Sequence, residues 1–273
     1  MSVPNVVNSG AGLRQVKIFA LDTNGLPTGS TAGYTGIQIE GAKVMGLTDP
    51  APRPVEHAGD DRIQALDMLP AITGMRGTLT VSKTNRTVDS AVQGITAQTI
   101  GEAVAYPFNT DLKGSENQVM LMAYWQSQDT GDTSATRGKR SWQVKIFPKA
   151  WVIPLENPTA ELAHERTYEV TPNIVKQYPW GVSLTTAAEG AQTMQGFEMV
   201  CEKKPYPVFF TANNATTSFT LPSAAYTTTK IKAYTVNSTG VGTAVTVTTA
   251  TTTSVAFTTA PTTGTLAVFY EVV

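Results

Sequence analysis

The chain has 273 residues, 41% hydrophobic and only 15% charged, well below the roughly 25% charged that is usual for soluble domains. A formal net charge of −1 sets up no field to draw in nucleic acid or an anionic membrane, which argues against a dedicated DNA binder. Cys201 is the only cysteine, so neither an intrachain disulfide nor a cysteine-based metal cluster can form, as suits folding in a reducing cytoplasm.

Met1-Ser2-Val3-Pro4-Asn5 has no basic stretch leading into an apolar run, so no signal peptide is expected. No run of about 18 apolar residues predicts a membrane span. Residues 15–21 alternate, with Val16, Ile18 and Ala20 on one face of a strand. Asp22-Thr23-Asn24-Gly25 opens like a calcium loop but lacks the closing glutamate, and Asn-Gly favours a hairpin turn. Ile37 and Ile39 predict a short strand, and residues 77–83 another through Leu79 and Val81.

Residues 87–97 break the pattern. Val88, Ala91, Val92 and Ile95 form one helical stripe, with Thr87 as N-cap and Asp89 in the first turn. A lone amphipathic helix among strands must bury that stripe against a sheet. Further strands are predicted at 118–125, 141–153 (Trp142, Val144 and Ile146 on one face), 166–170 and 192–200.

Residues 1–204 hold nearly all the charge. From Pro205 onward the charged side chains are Lys230, Lys232 and Glu271, and Thr becomes the commonest residue. The shift marks a domain boundary, with Lys203-Lys204-Pro205-Tyr206-Pro207 as the joint. Short strands at 217–221, 230–236, 244–248, 254–258 and 265–272 predict a small immunoglobulin-like sandwich. A disordered Thr-rich stalk is the alternative.

Chemistry is sparse. Glu56, Asp60 and Asp61 gather around His57, but the spacing fits no zinc pattern. The two readings are a metal site and a polar loop making ion pairs, and no metal is expected. Residues 129–140 predict a long polar loop that carries Asp129, Asp132, Arg137, Lys139 and Arg140. It serves as a solvated hairpin tip, as a grip on a neighbouring subunit, or as a grip on nucleic acid. No Gly-x-Ser-x-Gly elbow or phosphate loop is present, and Cys201 reads as a small buried hydrophobe. The four tryptophans suit core or interface positions better than sugar platforms. Neither catalytic residues nor a cofactor are expected.

The layout resembles the major tail tube protein of long, non-contractile-tailed bacteriophages. The resemblance rests on residues 74–81, the helix at 87–97, and 142–153 with Glu165-Arg166-Thr167-Tyr168-Glu169-Val170. To these add 206–213, 217–222 and the closing 260–270. It spans the chain as an architecture without a diagnostic motif, and the C-terminal module also occurs on other virion proteins. It implies a mainly β fold: a tail-tube-like, sandwich- or barrel-forming domain (1–204) with one packed helix, and an Ig-like sandwich (205–273) decorating the outside. It also implies hexameric rings stacked into a hollow virion tail tube, made in the host cytoplasm. Partners would be the chain itself, the terminator, tape-measure and distal tail proteins, and DNA passing non-specifically through the lumen, without a membrane. The first dozen residues and the loop at 129–140 would bridge subunits. Alternatives are a capsid decoration protein, a tail-completion protein and a carbohydrate-binding adhesin.

Overall fold

A computed structural model describes residues 8–48, 53–59, 62–69, 74–82, 86–94, 98–105, 118–129, 140–155, 165–184 and 193–272. The first part of the chain forms β1 (Asn8–Ala20), β2 (Ile37–Ile39), β3 (Ala42–Thr48), β4 (Arg53–Gly59), β5 (Arg62–Leu69), β6 (Arg76–Val81) and helix α1 (Arg86–Gln93). There follow β7 (Gln98–Ile100), β8 (Ala103–Ala105), β9 (Gln118–Asp129), β10 (Arg140–Pro154), β11 (Arg166–Pro172) and β12 (Phe197–Cys201).

Eight of these strands make one antiparallel sheet in the order β2-β1-β9-β10-β11-β6-β3, with β12 also on β10. The sheet rolls until β3 lies against β1. Inside the roll, Val16, Ile18, Leu79, Val81, Val119, Leu121, Val152 and Val170 form a core closed by Val88 and Val92 of α1. The helix is shorter than the stripe at 87–97 predicts. Gly94, at φ +63°, takes the left-handed conformation that ends a helix. Thr87 lies inside the first turn instead of capping it, and Ile95 falls outside the described residues. Asp89 does more than face the helix dipole. It is buried, pairs with Arg166 and accepts a 2.8 Å hydrogen bond from the Tyr168 hydroxyl.

β10 carries a bulge that no alternation count revealed. Phe147 faces Leu121 and Ala150 faces Val119, so β10 spends one more residue than β9 over that interval, which reverses the phase of its side chains. Before the bulge Val144 and Ile146 point away from the first core; after it Ala150 and Val152 point into it.

The remaining residues form β13 (Lys204–Ala212), β14 (Ser218–Thr220), β15 (Lys232–Val236), β16 (Gly242–Val245), β17 (Thr249–Ala250), β18 (Ser254–Ala256) and β19 (Gly264–Val272). They make a sandwich of a four-stranded sheet, β13-β19-β15-β16, and a three-stranded sheet, β14-β18-β17, around Val208, Phe210, Phe219, Val255, Phe257, Leu266 and Val268. The expected joint is itself a strand. Pro205 and Pro207 fit because β13 is the end strand of its sheet. The N–H groups of Phe209 and Thr211, on their side of the strand, point away from β19 and donate to Tyr34 and Ser30. The missing proline donors therefore fall on the outer edge, where they cost no ladder bond.

A third core joins the two parts. Phe19, Met120, Met122, Tyr124, Val144 and Ile146 on the outer face of the large sheet pack against Phe209 and Ala267. Trp142, Trp180, Phe197, Tyr234 and Phe269 rim the contact. The strands β1, β9 and β10 are thus buried on both faces, which explains why residues 118–125 read as a continuous apolar run.

Candidate assembly surfaces

The first surface is a pair of ribbons. β4 pairs with β5 and β7 with β8, and among the described residues neither pair joins another sheet. Glu56 and His57 therefore lie in a strand of the β4–β5 ribbon, not in the polar loop read from the sequence; Asp60 and Asp61 lie outside the described residues. The β7–β8 ribbon is exposed, with Ile100 at 66% and Val104 at 54% of full accessibility. Ile100 sits opposite Ala103, and Val104 opposite Thr99. The ribbon thus offers an apolar side chain on each face, a feature without a period long enough to register in sequence.

The predicted loop at 129–140 is trimmed at both ends. Asp129 is the last residue of β9, opposite Asn8, and Arg140 is the first of β10, opposite Gln128. Asp132, Arg137 and Lys139 lie outside the described residues. Asn8–Ala11 pair along β9, so this part of the expected N-terminal arm belongs to the sheet, and Gly12, at φ +40° in the register shift between Ala11 and Leu13, lets the strand bulge and continue.

The second surface is a fork. β12 occupies the edge of β10 over Trp142–Ile146, and β11 occupies the same edge over Ala150–Pro154. Where the two part, at the bulge, a cleft of about 190 Å³ opens between Leu47, Met75, Lys145, Phe147, Gly196, Phe197 and Glu198. Among the described residues β12 has a strand only on its β10 side, and its Val200 is 51% exposed.

The seam between the two parts holds the most perturbed charges. Lys17 is 5% exposed, donates to the Thr35 carbonyl at 3.0 Å and lies 4.4 Å from the centre of the Tyr206 ring. Burial pushes its ammonium down to about 8. Lys204, also lowered by burial and then by Lys17, sits over Tyr124 and Trp142. Burial and Glu271 raise the Cys201 thiol to about 11. The turn at Asp22 is a turn as predicted: its carboxylate accepts from the Asn24 and Leu26 amides, while Asn24 donates to Ser238 across the seam.

A sign follows for Lys17. Below about pH 8 the folded chain must hold a buried cation, whereas between about 8 and the ordinary 10.5 only the unfolded chain carries the proton, so this penalty fades as pH rises. Lys17→Met is expected to be more stable than the parent at pH 7, with the gap shrinking towards pH 10. Denaturant melts of both proteins across that range measure it. Comparing the two cancels the opposing effect of the Cys201 thiol.

All four tryptophans are partly buried, with Trp142 and Trp180 in the seam and Trp125 against the first core. Among the described residues no group of His, Cys, Asp and Glu is placed to hold a metal, and no helix is long and apolar enough to cross a membrane. No family model, curated protein or solved structure matches the chain.

Proposed function

We propose that the chain is a self-assembling structural subunit and that its assembly is the tail tube of a long, non-contractile-tailed bacteriophage. The observation that carries this reading is the β7–β8 ribbon, which joins no other sheet among the described residues and exposes Ile100 and Val104. A two-stranded ribbon is marginal in water by itself, and a neighbouring subunit would complete it. Sheet edges left open in one subunit are closed in the same way when copies form a ring.

In such a ring β1, β9 and β10 are poor candidates for the lumen wall, because both their faces are covered. The wall falls to strands that keep one exposed face: β3 through Val44 and Thr48, β6 through Arg76 and Thr78, and β12 through Glu198 and Val200. That surface is of mixed charge, which suits DNA sliding through without being held. The C-terminal sandwich sits on the outside, and the ends of the tube meet the other tail proteins.

Negative-stain electron microscopy of the purified full chain over a concentration series tests this. Stacked rings or hollow tubes are expected. A single closed ring that never stacks would point to a completion or decoration protein, and monomers under all conditions would overturn the assembly reading.

A further inference from the structure

We propose that Asn24 is a deamidation site held shut by the seam, so that loss of its amide records an opening of the seam and prevents its closing again. Asn24 is the only asparagine in the chain that is followed by glycine. Gly25 has no side chain to hinder attack by its backbone nitrogen on the side-chain carbonyl carbon of Asn24. In that attack a bond forms between Gly25 N and Asn24 Cγ, and the Cγ–Nδ2 bond breaks. The leaving amide takes up the proton that Gly25 gives up and departs as ammonia. Water then opens the five-membered imide at one or other carbonyl, leaving aspartate or its backbone-shifted isomer. Asn24 is exposed, so water reaches the imide.

The folded turn restrains both reacting groups. The Gly25 N–H donates to the Asp22 carbonyl at 3.0 Å, which withholds the proton that the attack must release. The Asn24 amide donates to the Asp22 carboxylate at 3.5 Å and to the Ser238 carbonyl of the C-terminal sandwich at 3.1 Å. Gly240 lies so close that a Cβ built on it would stand 3.1 Å from the Cβ of Asn24. Ser238 and Gly240 both act from across the seam, so separating the two parts at this turn frees the Asn24 side chain. A local opening of that kind costs less free energy than unfolding the chain. The product does not reseat. Aspartate at position 24 has no donor for the Ser238 carbonyl and sets a second carboxylate beside that of Asp22, where like charges repel. The backbone-shifted isomer lengthens the turn by one atom.

Peptide mapping by mass spectrometry on the full chain, held at mildly alkaline pH where Gly25 gives up its proton more readily, follows the conversion. Asn24 is expected to convert at least about tenfold more slowly in the folded chain than in the same chain unfolded in urea, a protection of about 1.4 kcal/mol. Two variants separate opening of the seam from unfolding of the whole. Phe269→Ala thins the seam, where Phe269 packs on Trp180 and Phe209, and Val152→Ala thins the first core. With urea adjusted to bring both to the same overall stability, Phe269→Ala should convert several-fold faster than Val152→Ala. Phe269→Leu takes its place if that chain does not fold. Equal rates in the folded and unfolded chain, or in the two variants, would overturn the proposal. The closing step has its own readout: Asn24→Asp should melt lower and bind more hydrophobic dye than Asn24→Ala, which loses the same amide without adding charge. Identical behaviour of those two would show that the seam closes again after conversion, and would overturn that half.

Discussion

A fragment ending at residue 204 is expected to be an aggregating species, not a trimmed but sound domain. Removing residues 205–273 strips the cover from Phe19, Met120, Met122, Tyr124, Val144 and Ile146, all at 1% exposure or less in the full chain. Each large apolar side chain transferred to water costs about 1.5–3 kcal/mol. Six of them together approach the whole stability of an ordinary domain, about 5–15 kcal/mol. The cut also frees the Ser30 and Tyr34 backbone groups that pair with β13 and removes the ring stacked over Lys17. Size-exclusion chromatography with light scattering, alongside binding of a hydrophobic dye, measures the outcome. A monodisperse fragment with a sharp thermal transition would show the seam to be dispensable. The same reasoning bears on assembly: fibres or clumps from the fragment would report the bared seam, so only the full chain gives a clean test of tube formation.

The compositional break at Pro205 and the burial of the seam have one physical origin. A charge-poor, Thr-rich region looks like a solvated appendage, yet part of its neutrality comes from a face that water does not reach, where Phe209 and Ala267 are fully buried. Composition reports how much charge a surface needs, not which neighbour it meets. Alternation was legible where one face is buried and the other wet, as in β6 and β11, and the stripe of α1 was legible for the same reason. β13 was hidden because two prolines following Lys203-Lys204 mimic a linker, and only its place at a sheet edge makes the prolines acceptable. The reversal of phase within β10 was hidden because 141–153 reads as one uninterrupted strand, with nothing in it to mark an extra residue. It is nonetheless the feature that opens the fork, so the part of the candidate site least visible in the sequence depends on one extra residue. The ribbon at Gln98–Ala105 escaped notice because three-residue strands carry no period.

Asp89 and Arg166, separated by 77 positions, had no local signal linking them, and breaking their pair is expected to be the most damaging point change in the chain. Their side chains are 7% and 6% exposed. Asp89→Ala leaves a guanidinium buried without its partner, at a cost of about 3–5 kcal/mol, and takes from Tyr168 the acceptor of its hydroxyl. For a chain somewhat larger than 150–250 residues, each kcal/mol lowers the midpoint by about 2–4 °C or slightly less, so a drop of roughly 6–20 °C is expected. Removing both partners, Asp89→Leu with Arg166→Met, should recover most of that loss, because apolar residues of similar size often replace a buried ion pair at no net cost and, among the described residues, Arg166 Nε has no hydrogen-bond partner. A double-mutant cycle by thermal denaturation measures the coupling; a single variant within about 1 kcal/mol of the parent would show that the pair holds nothing together. The pair joins α1 to β11, and β11, β6 and β3 form one wall of the fork. Loss of the pair should therefore lower stability and assembly together, whereas Ile100→Lys at the exposed ribbon should lower assembly and leave the thermal midpoint where it was.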